Sequence, residues 1–460
     1  MGTVTGKITD RLANAPLGRL LLSLSLPSVA SLITIALYNV IDTFWVARLG
    51  HEAIAALTIV LPFHILIIAV GLGTGIGINA WVSRSFGEGN IEVTNHTAGQ
   101  IFYLSALFGI VFLAAAVYFT RPILTLLGAT PDIMEYGVDY LSIIGFGTPF
   151  MFFGLMSSNL LRGSGEAVKP MIFMLVAQML NIILDPFMIL GIGPFAEMGV
   201  RGAALATVIS QFIGAGLSFY YIVGRKSVFR IRPSHLWPDL SILRGIFRIG
   251  SPAIMVDMME AVMFALFNFF LSRFGSVAIA GGGIALRIAD LAFMPIFGVA
   301  NGLLPIVGYC FGAGLWPRLW RAVKVTSLGL AGIMVVATIF FEIFAPQMVG
   351  IFSKDPELMA LAVPAIRIVL SSLSLTALLI MFITAFEGLS KGRAVLALSL
   401  VRQVVFFLPA LVILPRLMGT NGIWLSVPVS DVLGTVVAGV WLYREYRLHH
   451  RSGFGTDTAA

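Results

Sequence analysis

One cysteine, Cys310, stands in a chain of 460 residues, which excludes an internal disulfide and a cysteine-based metal cluster. Charge is sparse too. Asp, Glu, Lys and Arg make up 11% of the residues, where a soluble domain carries about 25%. No stretch between the apolar runs is long enough for a soluble domain. No Cys/His zinc spacing and no Gly-x-Ser-x-Gly motif occur, so no metal site of that kind and no catalytic constellation point to an enzyme, and no cofactor is implied. The alternating ten-residue pattern of a membrane barrel is missing too, so helices must do the spanning. Met1 to Arg19 is polar and basic. It has no short apolar core followed by small residues, and no cleaved signal peptide is expected. The glycine run Gly71 to Gly77 lacks a following Lys-Ser/Thr and lies in an apolar stretch, so its four-residue spacing reads as close helix packing, not phosphate binding.

What the chain does have is apolar length. It is 58% hydrophobic with a mean hydropathy of +0.97, and about 20 apolar residues make one helical span. Twelve spans are predicted, roughly Leu20–Val46, Ala55–Val82, Gly99–Phe119, Val138–Leu160, Val168–Leu190, Gly202–Val223, Ile249–Leu271, Ile279–Val307, Val323–Phe344, Leu361–Phe386, Ala394–Leu414 and Gly422–Tyr443. The fold class is an all-α polytopic membrane protein of two six-helix lobes, residues 1–224 and 249–460, the second ending in a short cytoplasmic tail, with a cytoplasmic linker at 225–248. With both termini and that linker on one side, twenty of the 29 Lys and Arg fall on that side, six on the other and three within spans. The basic side is expected to face the cytoplasm. Topology thus accounts for most of the net charge of +7. The partner expected is a lipid bilayer, of a bacterial or archaeal cytoplasmic membrane, and not nucleic acid.

The halves repeat. At a shift of 225 residues Pro27 meets Pro252, Gly50 meets Gly275, Ala55 meets Ala280, Gly73 meets Gly298, Val82 meets Val307, Phe86-Gly87 meets Phe311-Gly312 and Gly163 meets Gly388. One ungapped shift across four spans indicates duplication. An even number of spans per half gives both halves the same orientation, a parallel repeat of the kind that rocks in secondary transporters.

Within this apolar frame the acids are costly. Asn181-Ile-Ile-Leu-Asp185-Pro186 lies inside Val168–Leu190, where a carboxylate costs about 2.5–3.5 kcal/mol on insertion scales. Asn181 and Asp185 share a helical face, and Pro186 is expected to kink or loosen the helix beside them. Asp42 shares a face with Tyr38 and Asn39 near the outer end of span one. Thr207 ends a small-residue stretch, Gly202-Ala-Ala-Leu-Ala-Thr207, in span six, and Tyr140 opens span four. The shift carries Asp42 to Phe267 and Asp185 to Ala410, so the repeat does not copy these acids. That asymmetry favours function over architecture. In the second half Asp257 and Glu260 share a face of span seven, a candidate second cation site. Arg287 and Asp290 are three apart in span eight, and Arg287 paired with Asp290 or with Glu260 would be a buried ion pair. Burial disfavours the charged form of a carboxylate. Such an acid can exchange a proton for a cationic substrate as the lobes rock. The other reading of Asp185 is a neutral acid hydrogen-bonded between helices.

The segments Leu26-Pro27, Tyr38-Asn39-Val-Ile-Asp42-Thr-Phe-Trp45-Val, Leu49-Gly50, Leu161-Arg162-Gly163-Ser-Gly165, Asn181 to Pro186 and Gly202 to Thr207 resemble those of multidrug and toxic compound extrusion (MATE) transporters, most closely the DinF-like branch. The resemblance runs from Leu20 to Tyr443. It implies a V-shaped pair of lobes, a cargo of organic cations or amphipathic toxins, and export by antiport with protons or sodium. It also implies that Asp42, Asn181, Asp185 and Thr207, with Tyr140, form the coupling cluster, where the ion is a proton or Na+ at Asp42 and Asp185, in a chain expected to act as a monomer. NorM-like members add an acid on span seven, matched by Glu260, and a carboxylate on span ten. Leu361–Phe386 contains no Asp or Glu, so a sodium site of that kind is not expected. The alternative within the same superfamily is a flippase for lipid-linked saccharides or lipid precursors.

Overall fold

A computed structural model describes residues 10–193, 195–224 and 227–453, with the side chains of 39, 40, 43, 47, 51, 276 and 451–453 outside the description. The described residues hold helices and no strand. The long helices are α1 (Leu17–Val46), α2 (His51–Gly87), α3 (Ile91–Tyr118), α4 (Pro131–Gly163), α5 (Val168–Leu190), α6 (Val200–Val223), α7 (Leu240–Ser272), α8 (Ser276–Gly312) and α9 (Trp316–Phe352). Then follow α10, in two parts (Pro356–Leu370 and Leu373–Gly388), α11 (Gly392–Met418) and α12 (Thr420–Gly453). Eleven of these described helices are long and apolar enough to cross a membrane, and α10, bent by 45° between its parts, makes the twelfth. Most run past the apolar windows that predicted them. Helices continue through the headgroup region, where hydropathy is no guide. Tyr140 is therefore not at the opening of its helix but nine residues beyond Pro131.

The chain packs as two compact units, one holding Ala30–Ile254 and the other Leu12–Val29 with the chain from Met255 onward. In the first, α4 is the central helix, packed by α2, α3 and α6. In the second, its repeat counterpart α10 takes that place among α8, α9 and α12. Glycines set the closest approaches. A methyl at Gly73 on α2 would sit 2.6 Å from the backbone N of Ile254, and one at Gly298 on α8 would sit 2.8 Å from that of Val29. Gly77 faces Gly250, and Gly302 faces Ser25. These are the same positions in each half, and the glycine run acts in packing. The repeat also copies an interfacial cap. Arg48 lies 4.8 and 4.6 Å from the ring centres of Phe44 and Trp45, and Arg273 lies 5.0 Å from those of Phe269 and Phe270. After each cap a glycine with positive φ, Gly50 (114°) or Gly275 (93°), opens the next helix.

The segment between α6 and α7 is fixed to α3. Buried Gln100 donates to the carbonyls of His235 (3.0 Å) and Trp237 (2.7 Å) and accepts from the Asp239 N–H (3.1 Å). Asn95 accepts from the Arg230 N–H (2.7 Å), and Glu92 meets His235 Nε2 at 2.9 Å. A side chain at Gly99 would strike the His235 carbonyl.

Candidate functional site

The first unit gathers its costly polar groups where α1, α5 and α6 meet, with Tyr140 of α4. Asn181 and Asp185, one turn apart on α5, are 2% and 0% exposed, and Thr207 of α6 is 5% exposed. With its amide oriented to satisfy both ends, Asn181 donates to Asp185 Oδ2 (3.0 Å) and accepts from the Thr207 N–H (3.1 Å). The Thr207 hydroxyl donates to the Ala203 carbonyl (3.0 Å). Asp42, in the last turn of α1, brings its carboxyl within hydrogen-bonding reach of Asp185. The Tyr38 hydroxyl reaches Thr207, and Tyr140 feels the charge of both acids. Among the described ion pairs none involves Asp42 or Asp185. Asn39 is on the expected helix, but its side chain is outside the described residues. Pro186 does not end α5; the helix runs through it to Gly191, whose φ of 68° closes it. Having no N–H, the proline leaves the Ile182 carbonyl without its helical donor next to the acid.

A cavity of about 60 Å3 adjoins this cluster, lined by Tyr38, Ala177, Gln178, Asn181, Thr207, Ser210 and Gln211. Drug-sized ligands fill about 300–1,000 Å3. In this conformation the cavity suits ions and water.

The second unit is organised differently. Arg402 of α11 donates Nε to Asp431 Oδ1 (3.0 Å), its Nη2 is also 3.0 Å from that oxygen, and its Nη1 is 4.0 Å from Glu260. The other Asp431 oxygen accepts from Ser372 (3.0 Å) and Thr376. Those hydroxyls come from the break in α10 and the turn after it, and Arg402 sits in a π-helical stretch of α11, Val401–Phe407. Asp431 is fully buried and the Glu260 side chain is 55% exposed. The expected pairing of Arg287 is corrected. Arg287 and Asp290 are both exposed and form no described ion pair, because their face of α8 turns outward, and Glu260 turns to Arg402 instead. Asp257 lies in electrostatic contact with Glu260 and with Glu387. Sequence reading missed Glu387, because apolarity ends one residue before it while α10 continues to Gly388. It missed the π-helical stretch as well, which leaves no mark in composition.

Comparison with known proteins agrees with this architecture. The MatE family model matches twice, over residues 27–187 and 252–412, two stretches offset by the same 225 residues as the internal repeat. The FAD transporter of Shewanella oneidensis is similar at 27% identity, covering 92% of this chain and 93% of that protein. The multidrug export protein MepA of Staphylococcus haemolyticus is 28% identical over 93% of each chain. A solved outward-facing multidrug resistance MATE family transporter of the MOP superfamily superimposes with a TM-score of 0.90 at 24% identity, over 96% of this chain and 98% of that one. All are transporters, none an enzyme. With twelve helices in repeated halves and a family match across both, this chain belongs to the MatE family of multi-pass membrane transporters.

Proposed function

We propose that the protein exports organic cations or amphipathic toxic compounds by antiport with protons, the Asp42–Asp185 pair being the coupling site. The observation that carries this reading is the approach of two carboxyl groups, one fully buried and the other half-buried, with no described ion pair to an arginine. Two carboxyls within hydrogen-bonding reach attract only when a proton lies between them. Losing that proton leaves two anions side by side, which must separate or take up a cation. Protonation state and geometry are thereby linked. Asn181 donates to Asp185, and Thr207, Tyr38 and Tyr140 surround the pair. An inward proton gains about 2.3 kcal/mol per 100 mV of membrane potential; against one monovalent cation leaving, that gain cancels, and the pH gradient drives export. The name of MepA supports the drug-like cargo. The name of the Shewanella protein favours a second cargo, a flavin nucleotide, on the same coupling scheme. In this reading the chain works as a monomer in a cytoplasmic membrane with both termini inside.

The test is ethidium efflux from vesicles under an imposed pH gradient and then an imposed sodium gradient. Efflux is expected with the pH gradient and to collapse with an uncoupler. Asp42→Asn and Asp185→Asn are each expected to abolish it. Full efflux by both variants would remove the site; efflux driven by sodium alone would change the ion.

A further inference from the structure

We infer that Ser210, Gln211 and Gln178 line a hydrated passage carrying the coupling proton from the Asp42–Asp185 pair toward the cytoplasm. The inference rests on the coupling reading above and adds a route to it.

The cavity touches Tyr38, Asn181 and Thr207, which adjoin the acids, and extends away from them. On α5, Gln178 and Ala177 lie one turn beyond Asn181 in the direction of Val168, and on α6, Ser210 and Gln211 lie one turn beyond Thr207 in the direction of Val223. Both directions lead to the basic, cytoplasmic side. A water needs about 10–15 Å3 of such space and two to four polar partners, so about 60 Å3 holds several waters in file. The partners are present. Ser210 is 3% exposed, and its Oγ has no protein partner; Gln211 Oε1 has none either. A buried, unmatched polar group costs about 1–3 kcal/mol, so two such atoms side by side on α6 are retained at a cost that hydration removes. Gly147 of α4 makes the room: a methyl there would lie 2.6 Å from Gln211 Oε1.

The chemistry is a relay. The acid pair gives its shared proton to the first water, which passes a different proton to the next. Ser210 can accept on its oxygen while donating its own hydrogen, so it can stand as a link. Gln211 Oε1 only accepts and orients the waters. The protons leaving toward the cytoplasm equal those leaving the carboxyl pair, and two carboxylates remain for the next cycle.

The test compares Gln211→Leu and Ser210→Val/Gln211→Leu with Gly147→Ala and Gln211→Glu in proteoliposomes, using ethidium and an internal pH dye. The two leucine-containing variants and Gly147→Ala are expected to slow pH-driven efflux at least tenfold while ethidium Kd, measured on the purified protein, moves less than twofold. Gln211→Glu, which keeps an acceptor, is expected to recover most of the rate. Retained ethidium binding shows that a slow variant is folded. Wild-type efflux rates in Ser210→Val/Gln211→Leu, with Asp185→Asn inactive, would overturn the passage and leave the coupling site standing. Full activity of Asp185→Asn would overturn the coupling reading itself.

Discussion

At the scale of single residues, the two units solve the problem of buried acid in opposite ways. Asp431 is matched: a guanidinium on one oxygen, two hydroxyls on the other. Asp185 has an amide donor and a second carboxyl. The guanidinium answers the Asp431 charge where it stands, whereas Asp185 faces a second acid. Removing Arg402 should therefore be a stability lesion. Breaking a buried pair from one side costs about 3–5 kcal/mol, so Arg402→Gln is expected to lower the melting temperature sharply, and Arg402→Met/Asp431→Leu to restore much of it in a thermal-shift assay. Asn181→Leu should act on function instead. It leaves Asp185 without its 3.0 Å donor, and about 1.4 kcal/mol corresponds to a tenfold change. Proton-driven efflux is expected to fall about that much or more, with the melting temperature little changed. The spacing of Asn181, Asp185 and Pro186 was readable in the sequence because intramembrane polar residues are rare. The partner of Glu260 was not, because which helix faces which is no property of a single segment.

At the scale of elements, the linker expected at 225–248 shows what composition leaves open. In the structure three hydrogen bonds to one buried glutamine seat it on α3. Gln100→Ala is expected to leave two carbonyls and an N–H unmatched, at about 1–3 kcal/mol for such groups, and to free the segment. Trypsin should then cut at Arg230 and Arg232 several-fold faster than in the wild type, followed by gel electrophoresis. Unchanged cleavage would mean that other contacts hold it. The bend in α10 was equally invisible: its two serines, Ser371 and Ser372, interrupt an apolar run too briefly to end a predicted span.

At the scale of the whole molecule, duplication governs. The same shift places α4 and α10 at the centres of their units and sets glycines against backbone at matching points. It also sets arginines over aromatic rings at the ends of α1 and α7. Orientation belongs to this scale, since it is decided by the summed distribution of Lys and Arg. In a background where buried Cys310 is replaced by serine, Trp237→Cys and Ile192→Cys provide exposed probes on opposite sides, at 76% and 46% exposure. A membrane-impermeant maleimide applied to intact cells is expected to label the Ile192 site and spare the Trp237 site. The reverse pattern would invert the topology.

The sequence by itself determined the helices, their number, the duplication and the presence of acids too costly to be incidental. These follow from water and hydrocarbon acting on each segment separately, so a one-dimensional reading captures them. The tertiary structure alone decided the pairings. It set Asp42 beside Asp185, gave Asp431 to Arg402, turned Arg287 and Asp290 outward and put Glu387 near Asp257. Each depends on the rotation of a helix about its axis and on the neighbour it meets, and packing fixes both only when all the helices are in place.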